Sequence, residues 1–316
     1  MESQPALKKE TILEKYLRIK VNHFPVQNPV NYIVKDGNQE LHLHSVEFPN
    51  KGELKGVVFF IPGYGEYVDF FGTYFEDYAK QGFRVFAFDR RGFGKSEGVR
   101  GDIGPDIVQD ILGFIDLVVE QFSLQSSKKY LYGISMGSML CARVIQLKPE
   151  YFEGAMLTVP WFATPEGEEL GFFKRLALRF ISCCSRDKVV PRTPRTPEFE
   201  EFFHHRSAND PFQVSFIKYH TVNSALDLQD LVRNDIDKIR IPIFMGLAGQ
   251  DWLVSNKVSE EYFERFPNQH KKKVFHQDSL HQLYNQDGQY QIMQKESLDW
   301  LISINDGTFL DLSSSN

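Results

Sequence analysis

The sequence predicts an α/β protein: a mostly parallel central sheet with helices on both faces and an inserted segment over one edge. Two observations lead to this prediction. Short apolar runs, typical of strands buried on both faces, alternate with longer segments whose apolar residues recur at helical spacing. This alternation stops near residue 161 and resumes near residue 223, which indicates an insertion. Because ligands bind beyond the carboxyl ends of strands in open α/β sheets, an insertion leaving from such an end is placed to act as a cap or lid.

The elements before the insertion follow one another in regular order. Asp36-Gly37 separates two strand-like runs in VNYIVKDGNQELHLHSVEF and predicts a hairpin. We predict buried strands at KGVVFFIPG, RVFAFD, KYLYG and GAMLTVP. Helices are predicted at FFGTYFEDYAKQG, DIVQDILGFIDLVVEQF and SMLCARVIQL.

The alternation after the insertion continues to the end of the core. It consists of the strand IPIFMGL at 241–247, the helix VSEEYFERF, the strand KKVFH and the helix GQYQIMQKESLDWLISI. The predicted division of the chain is an N-terminal arm at 1–24, an α/β core at 25–160 and 223–306, a cap insertion at 161–222 and a C-terminal tail at 307–316.

Composition narrows the class of function. The 316 residues are 42% hydrophobic and 25% charged, with a formal net charge of −6, so no basic surface for nucleic acid is indicated. Three cysteines cannot form a disulfide framework, which favours reduced thiols. The N-terminus has no signal-peptide pattern, and no apolar stretch approaches the ~20 residues that span a bilayer. We expect a cytoplasmic protein that can lie peripherally on a membrane, and the sequence gives no indication of its oligomeric state.

The segment YLYGISMGSML contains the pattern G-x-S-x-G at Gly133-Ile134-Ser135-Met136-Gly137. In a nucleophile elbow, small residues on both sides of the serine allow a sharp turn between a strand and a helix. The turn lifts the serine Oγ to the top of the sheet and directs the next backbone N–H at a developing oxyanion. The alternative is an ordinary turn, because small residues connect many strands to helices. The predicted strand before Ser135 and the predicted helix after it favour a nucleophile.

A nucleophilic serine needs a base, and the base needs an orienting acid. In the doubly wound arrangement both follow the serine, the acid before the histidine. Asp251 follows the strand IPIFMGL, and Ser255 is better placed than Asp251 to cap the next helix. His281 lies in the loop after KKVFH and is the favoured base. His276 is its rival, but we expect it to be the last residue of the strand, where its ring has less freedom to reach over the sheet.

An oxyanion needs hydrogen-bond donors that are already in place. The Met136 N–H, directly after Ser135, is one candidate. The second is the Tyr64 N–H, in the loop IPGYGE that follows the strand VVFF. Gly63 and Gly65 on either side let the backbone approach a bound substrate closely. A simple Pro-Gly turn is the alternative for this loop.

The segment DRRGFGKSEG, at 88–98 with its preceding phenylalanine, invites comparison with nucleotide-binding loops. It lacks the third glycine of a dinucleotide loop and the lysine pattern of a phosphate loop, so we interpret it as a structural turn. No His or Cys spacing indicates a metal site. We therefore expect neither a metal nor an organic cofactor.

With these parts in order, the chain resembles an α/β-hydrolase and is most similar to the monoacylglycerol lipase and lysophospholipase family. The resemblance covers about residues 30–305 and rests on PGYGEY, FDRRGFGKSEG, GISMG, NDP, GQD and the loop of the candidate base. It implies Ser135 as nucleophile, Asp251 as acid and His281 as base. It also supports Tyr64 and Met136 as backbone donors and a cap that begins after the strand ending near residue 159.

The chain departs from the family at three positions near the site. The family commonly has histidine where this chain has Pro62 and Ile134, and glycine where it has Ser138. None of these changes removes a triad atom, but the first two make the floor of the site less polar.

The resemblance implies a serine hydrolase that releases a fatty acid from monoacylglycerol or lysophospholipid through an acyl-enzyme. The same machinery serves thioesterases, small-ester esterases and acyltransferases, and a fold with a triad does not separate these activities. A non-catalytic binding protein is a further alternative. Its usual sign, a lost nucleophile or base, is absent from this sequence.

The cap segment ELGFFKRLALRFISCC predicts an amphipathic helix. A helix that is apolar on one face and cationic on the other can lie on a membrane surface. Alternatively, the apolar face covers the substrate pocket, and a lipid-ester substrate is compatible with both. Phe172, Phe173, Leu176, Ala177, Phe180 and Ile181 share one face, and Lys174, Arg175 and Arg179 lie mainly on the other.

Overall fold

A computed structural model of the protein describes residues 30–71, 74–191, 210–283 and 288–309. The predicted N-terminal arm and the chain beyond residue 309 lie outside these ranges. Within them, the chain forms one large sheet and one small hairpin, with helices packed around the large sheet.

The strands are short and mostly follow the apolar runs of the sequence. They are β1 (Tyr32–Asp36), β2 (Gln39–Leu43), β3 (Ser45–Phe48), β4 (Gly56–Ile61), β5 (Phe83–Phe88), β6 (Lys129–Ile134), β7 (Gly154–Thr158), β8 (Ile243–Gln250) and β9 (Lys271–Leu280). The hairpin β1–β2 closes at Asp36-Gly37-Asn38-Gln39, where Gly37 has a positive φ of 60°. This confirms the predicted hairpin.

The helices alternate with the strands of the large sheet. They are α1 (Glu76–Lys80), α2 (Ile107–Gln121), α3 (Met136–Leu147), α4 (Phe172–Cys184), α5 (Tyr219–Asn234), α6 (Asn256–Arg265) and α7 (Gln289–Asn305), with short 3-10 turns at Val68–Phe71 and Ile236–Lys238. None of the helices that the structure describes combines the length and the apolar character needed to cross a lipid bilayer.

The central sheet has seven strands in the order β3-β5-β4-β6-β7-β8-β9. β3 is antiparallel to β5, and every other neighbouring pair is parallel. The carboxyl ends of the six parallel strands therefore meet at one edge of the sheet. Loops that leave β4, β6, β8 and β9 at this edge can bring side chains together from distant parts of the sequence.

The sheet separates two hydrophobic cores, because successive side chains of a buried strand point to opposite faces. In β4, Val57, Phe59 and Ile61 belong to one core, and Val58 and Phe60 belong to the other. Helices α2, α3, α5 and α6 contribute to the first core, and α1 and α7 to the second. The predicted α/β architecture, with helices on both faces of a mostly parallel sheet, is confirmed.

The chain leaves the sheet between β7 and β8. The described part of this excursion contains α4 and α5, which are joined by two ion pairs: Arg175 to Asp230 at 2.5 Å and Arg179 to Asp227 at 3.0 Å. The predicted boundary between cap and core at 222/223 falls inside α5. Residues 192–209 are not described, so the division into arm, core, cap and tail stays a prediction.

The last strand is longer than predicted. β9 continues to Leu280, so His276 lies inside the strand instead of at its end, and His281 follows the strand directly. β9 is the edge strand, and most of its side chains are half-buried or exposed. It pairs with β8 as far as Gln250 and Leu280, across a register shift. Backbone pairing therefore extends this strand beyond the point where its apolar pattern ends.

We expect Phe60→Ala to lower the free energy of unfolding by about 3–5 kcal/mol, because it removes a ring from the second core. The Phe60 ring centroid lies 4.7 Å from those of both Phe71 and Phe75. Urea denaturation measures the loss. Phe275→Ala is the matched control, since Phe275 is 47% exposed and surface changes stay within about 0.5 kcal/mol. Equal losses for the two variants would show that Phe60 is not part of a packed core.

Candidate active site

Ser135 occupies a sharp turn between β6 and α3. Its φ of 53° lies in the left-handed region, which non-glycine residues seldom adopt and which costs about 1–3 kcal/mol. The residue before it ends β6, and the residue after it begins α3. The serine is therefore held in a strained backbone conformation at the carboxyl edge of the sheet, as the elbow hypothesis predicts.

Two glycines allow this turn to pack closely. A Cβ atom on Gly133 would lie 2.5 Å from the backbone carbon of Gly137, and a Cβ atom on Gly137 would lie 1.9 Å from the Ile61 carbonyl oxygen. Real Cβ atoms do not make contacts this short, so both positions require glycine. Ser138, where the resembled family has glycine, places its Oγ 2.7 Å from the Gly133 oxygen and 3.0 Å from the Thr158 oxygen. This hydroxyl therefore links the start of α3 to β6 and β7.

The structure brings the three predicted triad side chains together. His281 Nε2 lies 3.0 Å from Ser135 Oγ, and His281 Nδ1 lies 2.7 Å from Asp251 Oδ2. All three side chains are almost completely buried. They come from the ends of β6, β8 and β9, so the sheet topology accounts for their meeting.

Asp251 is held in one orientation by its own loop. Its Oδ1 accepts hydrogen bonds from the Leu253 N–H at 2.9 Å and the Val254 N–H at 3.1 Å. These bonds leave Oδ2 to face the imidazole. The cap of α6 is Ser255, whose Oγ accepts from the Val258 N–H at 3.2 Å. The structure therefore confirms that Asp251 is not the helix cap.

The rival base lies in another environment. His276 Nε2 lies 3.0 Å from Glu296 Oε2, a side chain of α7. Among the described residues, Asp251 and Ser135 are recorded as partners of His281 and not of His276. The geometry favours His281, although the expected reason, a strand ending at His276, was wrong.

The loop predicted to supply an oxyanion donor lies against the serine. A Cβ atom on Gly63 would be 3.4 Å from Ser135 Cβ. The Tyr64 hydroxyl donates to Phe216 O at 2.9 Å and lies 3.0 Å from Gly101 O, and burial raises the pKa of this phenol. The structure thus brings the Tyr64 loop and the start of α3, with Met136, to Ser135. That their N–H groups bind an oxyanion stays a prediction.

Gly65 joins the Tyr64 loop to the segment around Val214. With φ at 79°, it presents no side chain to Val214, and its carbonyl oxygen accepts from the Val214 N–H at 2.9 Å. A Cβ atom there would meet the Val214 oxygen at 2.3 Å. The Tyr64 loop is therefore paired with the segment that precedes α5.

The predicted lid residues are not brought to the triad. On α4, Phe172 is 75% exposed, Phe173 83%, Leu176 57% and Phe180 71%. The buried residues of this helix are Leu178 and Ser182 on its opposite side. In this structure the apolar stripe faces outward, so the alternative in which it covers the pocket is not observed.

Sequence reasoning missed three residues that contact the site. The backbone N–H of Trp161 donates to Ser135 O at 3.1 Å, and Val214 pairs with the Tyr64 loop. The buried Arg90 side chain donates to Pro62 O and Gly63 O. Arg90 belongs to the segment interpreted as a structural turn. No local signal distinguishes it from its neighbour Arg91. Within the described ranges, no group of three or more His, Cys, Asp or Glu side chains is arranged to hold a metal ion.

We expect Gly133→Ala to destabilise the protein by at least about 2 kcal/mol and to abolish the reactivity of Ser135, because the added methyl group overlaps backbone atoms of the elbow. Gly104→Ala is the control, since no atom lies within 4 Å of a Cβ built there. Thermal unfolding and the rate at which a fluorophosphonate modifies Ser135 are measured for both. Wild-type stability of Gly133→Ala would show that the close packing at the elbow is not required.

Comparison with known proteins identifies the family of this chain. A family model described as serine aminopeptidase, S33 (Hydrolase_4) matches residues 52–288. A caffeoylshikimate esterase of Arabidopsis thaliana is 23% identical over 266 residues, which cover 80% of this chain and 79% of that protein. A Schizosaccharomyces pombe protein, named as a candidate monoglyceride lipase, is 22% identical over 241 residues. That match covers 72% of this chain and 62% of the yeast protein, less than two thirds of its length.

Solved structures agree on the fold. A monoacylglycerol lipase from Paleococcus ferrophilus superposes with a TM-score of 0.70 at 20% identity, covering 83% of this chain and 99% of that one. A soluble variant of the monoglyceride lipase from Saccharomyces cerevisiae, in complex with a substrate analogue, superposes with a TM-score of 0.72 at 16% identity, covering 91% and 97%. At these identities the likeness shows the α/β-hydrolase fold alone. Since the family model matches well over half of the chain, the protein belongs to the Hydrolase_4 (serine aminopeptidase, S33) family of α/β-hydrolases.

Proposed function

We propose that the protein is a serine hydrolase that cleaves the ester bond of monoacylglycerol or lysophospholipid and releases a free fatty acid. The observation that carries the proposal is the row of hydrogen bonds from Asp251 through His281 to Ser135, at 2.7 Å and 3.0 Å. An uncharged serine hydroxyl becomes a useful nucleophile only beside such a base.

In the proposed reaction, Ser135 Oγ attacks the ester carbonyl while His281 Nε2 takes its proton. Asp251 Oδ2 accepts a hydrogen bond from His281 Nδ1, which selects the imidazole tautomer with a free Nε2 and stabilises the imidazolium that forms. The imidazolium then returns the proton to the leaving alcohol. An acyl-enzyme on Ser135 remains.

Deacylation repeats these steps with water. His281 takes a proton from a water molecule, the resulting hydroxide attacks the acyl carbonyl, and the fatty acid leaves as Ser135 is reprotonated. In both halves the carbonyl oxygen acquires negative charge, and the N–H groups of Tyr64 and Met136 are the proposed donors to it. Donors fixed in advance lower the barrier because they need not reorient as charge develops.

The lipid substrate is supported by similarity and by the surface. Proteins named for monoglyceride lipase activity share the fold over most of this chain, and α4 carries an outward apolar stripe. The relative named caffeoylshikimate esterase acts, by its name, on another class of ester, and the family description names a peptidase. A substrate panel therefore has to include these classes beside thioesters and short esters.

We also propose that the outward face of α4, formed by Phe172, Phe173, Leu176 and Phe180, contacts a membrane surface. The cationic side chains of this helix are partly neutralised, since Arg175 and Arg179 are paired with Asp230 and Asp227. Binding should then depend on the insertion of apolar side chains more than on anionic lipid. The contact would hold the protein at the surface that carries the proposed lipid substrate.

We expect wild-type protein to release fatty acid from monoacylglycerol or lysophosphatidylcholine, and Ser135→Ala to lower kcat by about 10⁴-fold or more. The panel contains monoacylglycerols of several chain lengths, diacylglycerol, lysophosphatidylcholine, an acyl-CoA, a short-chain ester, a caffeoyl ester and a peptide arylamide. Product release is followed by chromatography.

The His281→Ala and His276→Ala variants provide the matched comparison for the base. Loss of activity in the first and its retention in the second is the expected result. Turnover confined to the thioester, the caffeoyl ester or the arylamide would keep the serine machinery and reject the lipid substrate. Full activity of Ser135→Ala would reject the mechanism.

We expect Phe172→Glu/Phe173→Glu to reduce sedimentation with phosphatidylcholine vesicles, because it places two charges on the most exposed part of the stripe. Added salt should change wild-type binding little. Phe275→Glu/Ile292→Glu is the control, since these two side chains are each 47% exposed and lie on β9 and α7. Equal partitioning of wild type and the α4 variant would contradict membrane contact through this helix.

A further inference from the structure

We propose that Arg90 is a positioning residue for the reaction, because its guanidinium group holds two successive carbonyls of the oxyanion loop and so sets the direction of the Tyr64 N–H. The inference rests on the hydrolase function proposed above and extends it to a side chain outside the triad. The hydrogen bonds of Arg90 go to Pro62 O and Gly63 O and not to Ser135. Arg90 would act through the backbone of Gly63.

The contacts of Arg90 are unusual for a buried cation. Its Nη1 donates to Pro62 O, and its Nη2 donates to Gly63 O at 2.6 Å. The side chain is 1% exposed, and its guanidinium carbon lies 5.0 Å from the centroid of the Phe93 ring. A buried charge usually requires a charged partner at close range, because removal from water is costly. Here the recorded hydrogen-bond acceptors are two main-chain carbonyls instead.

The geometry of the peptide unit explains how a contact with the Gly63 carbonyl orients the Tyr64 N–H. The Gly63 carbonyl and the Tyr64 N–H belong to the same planar, trans peptide unit, so they point in opposite directions. A guanidinium group that fixes the Gly63 carbonyl therefore also fixes the direction of the Tyr64 N–H. Because Arg90 binds the Gly63 carbonyl, the Tyr64 N–H points away from the guanidinium, which leaves it available for the proposed contact with an oxyanion.

The preceding peptide unit is fixed at both ends. Arg90 binds the Pro62 carbonyl, and Glu66 Oε2 accepts the Gly63 N–H at 3.1 Å. Pro62 has no N–H and Gly63 has no side chain, so the loop offers few other groups by which it can be held. A donor from a neighbouring segment is needed, and Arg90 supplies it from the turn after β5.

The charge of Arg90 adds an electrostatic effect. Desolvation lowers the pKa of the guanidinium to about 10, and the nearby carboxylates of Asp89 and Glu66 oppose that shift, so the group remains cationic at neutral pH. A cationic donor on the Gly63 oxygen polarises the amide and makes the Tyr64 N–H a stronger donor. Lysine would supply the charge but not the planar fork that reaches two carbonyls at once.

The adjacent residue offers a matched control. Arg91 donates from Nε to Asp110 Oδ2 at 2.6 Å and from Nη2 to Asp110 Oδ1 at 2.7 Å. This bidentate pair joins the turn to α2 and makes no recorded contact with the oxyanion loop. Two consecutive arginines thus hold different parts of the structure, one by carbonyls of the loop and the other by a carboxylate.

The experiment compares Arg90→Met, Arg90→Lys and Arg91→Met with wild type. Two probes that do not depend on the natural substrate are used: hydrolysis of p-nitrophenyl acetate and the rate at which a fluorophosphonate modifies Ser135. The affinity for a trifluoromethyl ketone, which forms a tetrahedral oxyanion on the serine, is measured as well. Circular dichroism and thermal unfolding establish that each variant is folded.

We expect Arg90→Met to lower kcat about 100-fold with KM changed less than about twofold, as for the loss of one oxyanion donor. Ketone affinity should fall in parallel. Arg90→Lys should have a kcat between those of Arg90→Met and wild type. It replaces Arg90→Met in the comparison if the methionine variant does not fold. Arg91→Met should change kcat by less than about threefold, even if it lowers the unfolding temperature.

Three results would overturn the proposal. The first is an equal kcat for folded Arg90 and Arg91 variants. The second is a loss of kcat with unchanged ketone affinity, which would indicate a role other than oxyanion binding. The third is a wild type that reacts with neither probe, which would reject the hydrolase function too. A wild type that reacts with both probes but cleaves no lipid ester would reject only the lipid substrate.

Discussion

The site depends on one close approach between two segments of backbone. The start of α3 lies so near the end of β4 that a Cβ atom on Gly137 would reach within 1.9 Å of the Ile61 carbonyl oxygen. This approach sets Ser135, which has a left-handed φ, beside the loop that leaves β4. The neighbouring parallel strands β8 and β9 then deliver Asp251 and His281 to the same edge. Without that contact, Ser135 and the Tyr64 loop would not share a surface.

Much of this arrangement could be predicted because its signals are local. Continuous apolar runs identify buried strands, and small residues around Ser135 identify a sharp turn. The order serine, acid, histidine then limits the partners to residues after the later strands, which selected Asp251 and His281. The length of β9 could not be predicted in this way. Its side chains are mostly half-buried or exposed, so the strand leaves no clear apolar pattern, and pairing with β8 extends it past His276.

Other features depend on contacts between distant segments. The amphipathic character of α4 is evident from the sequence, but its orientation depends on packing against α5. Leu178 and Ser182 are buried, and Arg179 and Arg175 pair with residues 48 and 55 positions further along the chain. Arg90 and Arg91 are adjacent and chemically identical, yet one is fully buried against main-chain carbonyls and the other faces a carboxylate on α2. Such differences arise only when the tertiary structure has formed, and no local pattern encodes them.

Gly65 pairs with Val214, and the Tyr64 hydroxyl donates to Phe216 O. These two contacts limit how the chain can be redesigned or can diverge. The segment that returns from the excursion between β7 and β8 is joined to the loop beside Ser135, so the excursion is not an interchangeable module. A chimera that imports this region from a relative would retain a supported loop only if the donor sequence preserves the main-chain pairing near 214 and a partner for the tyrosine near 216. Sequence change at the return, near Val214 and Phe216, is therefore limited by the loop beside Ser135 that these residues support.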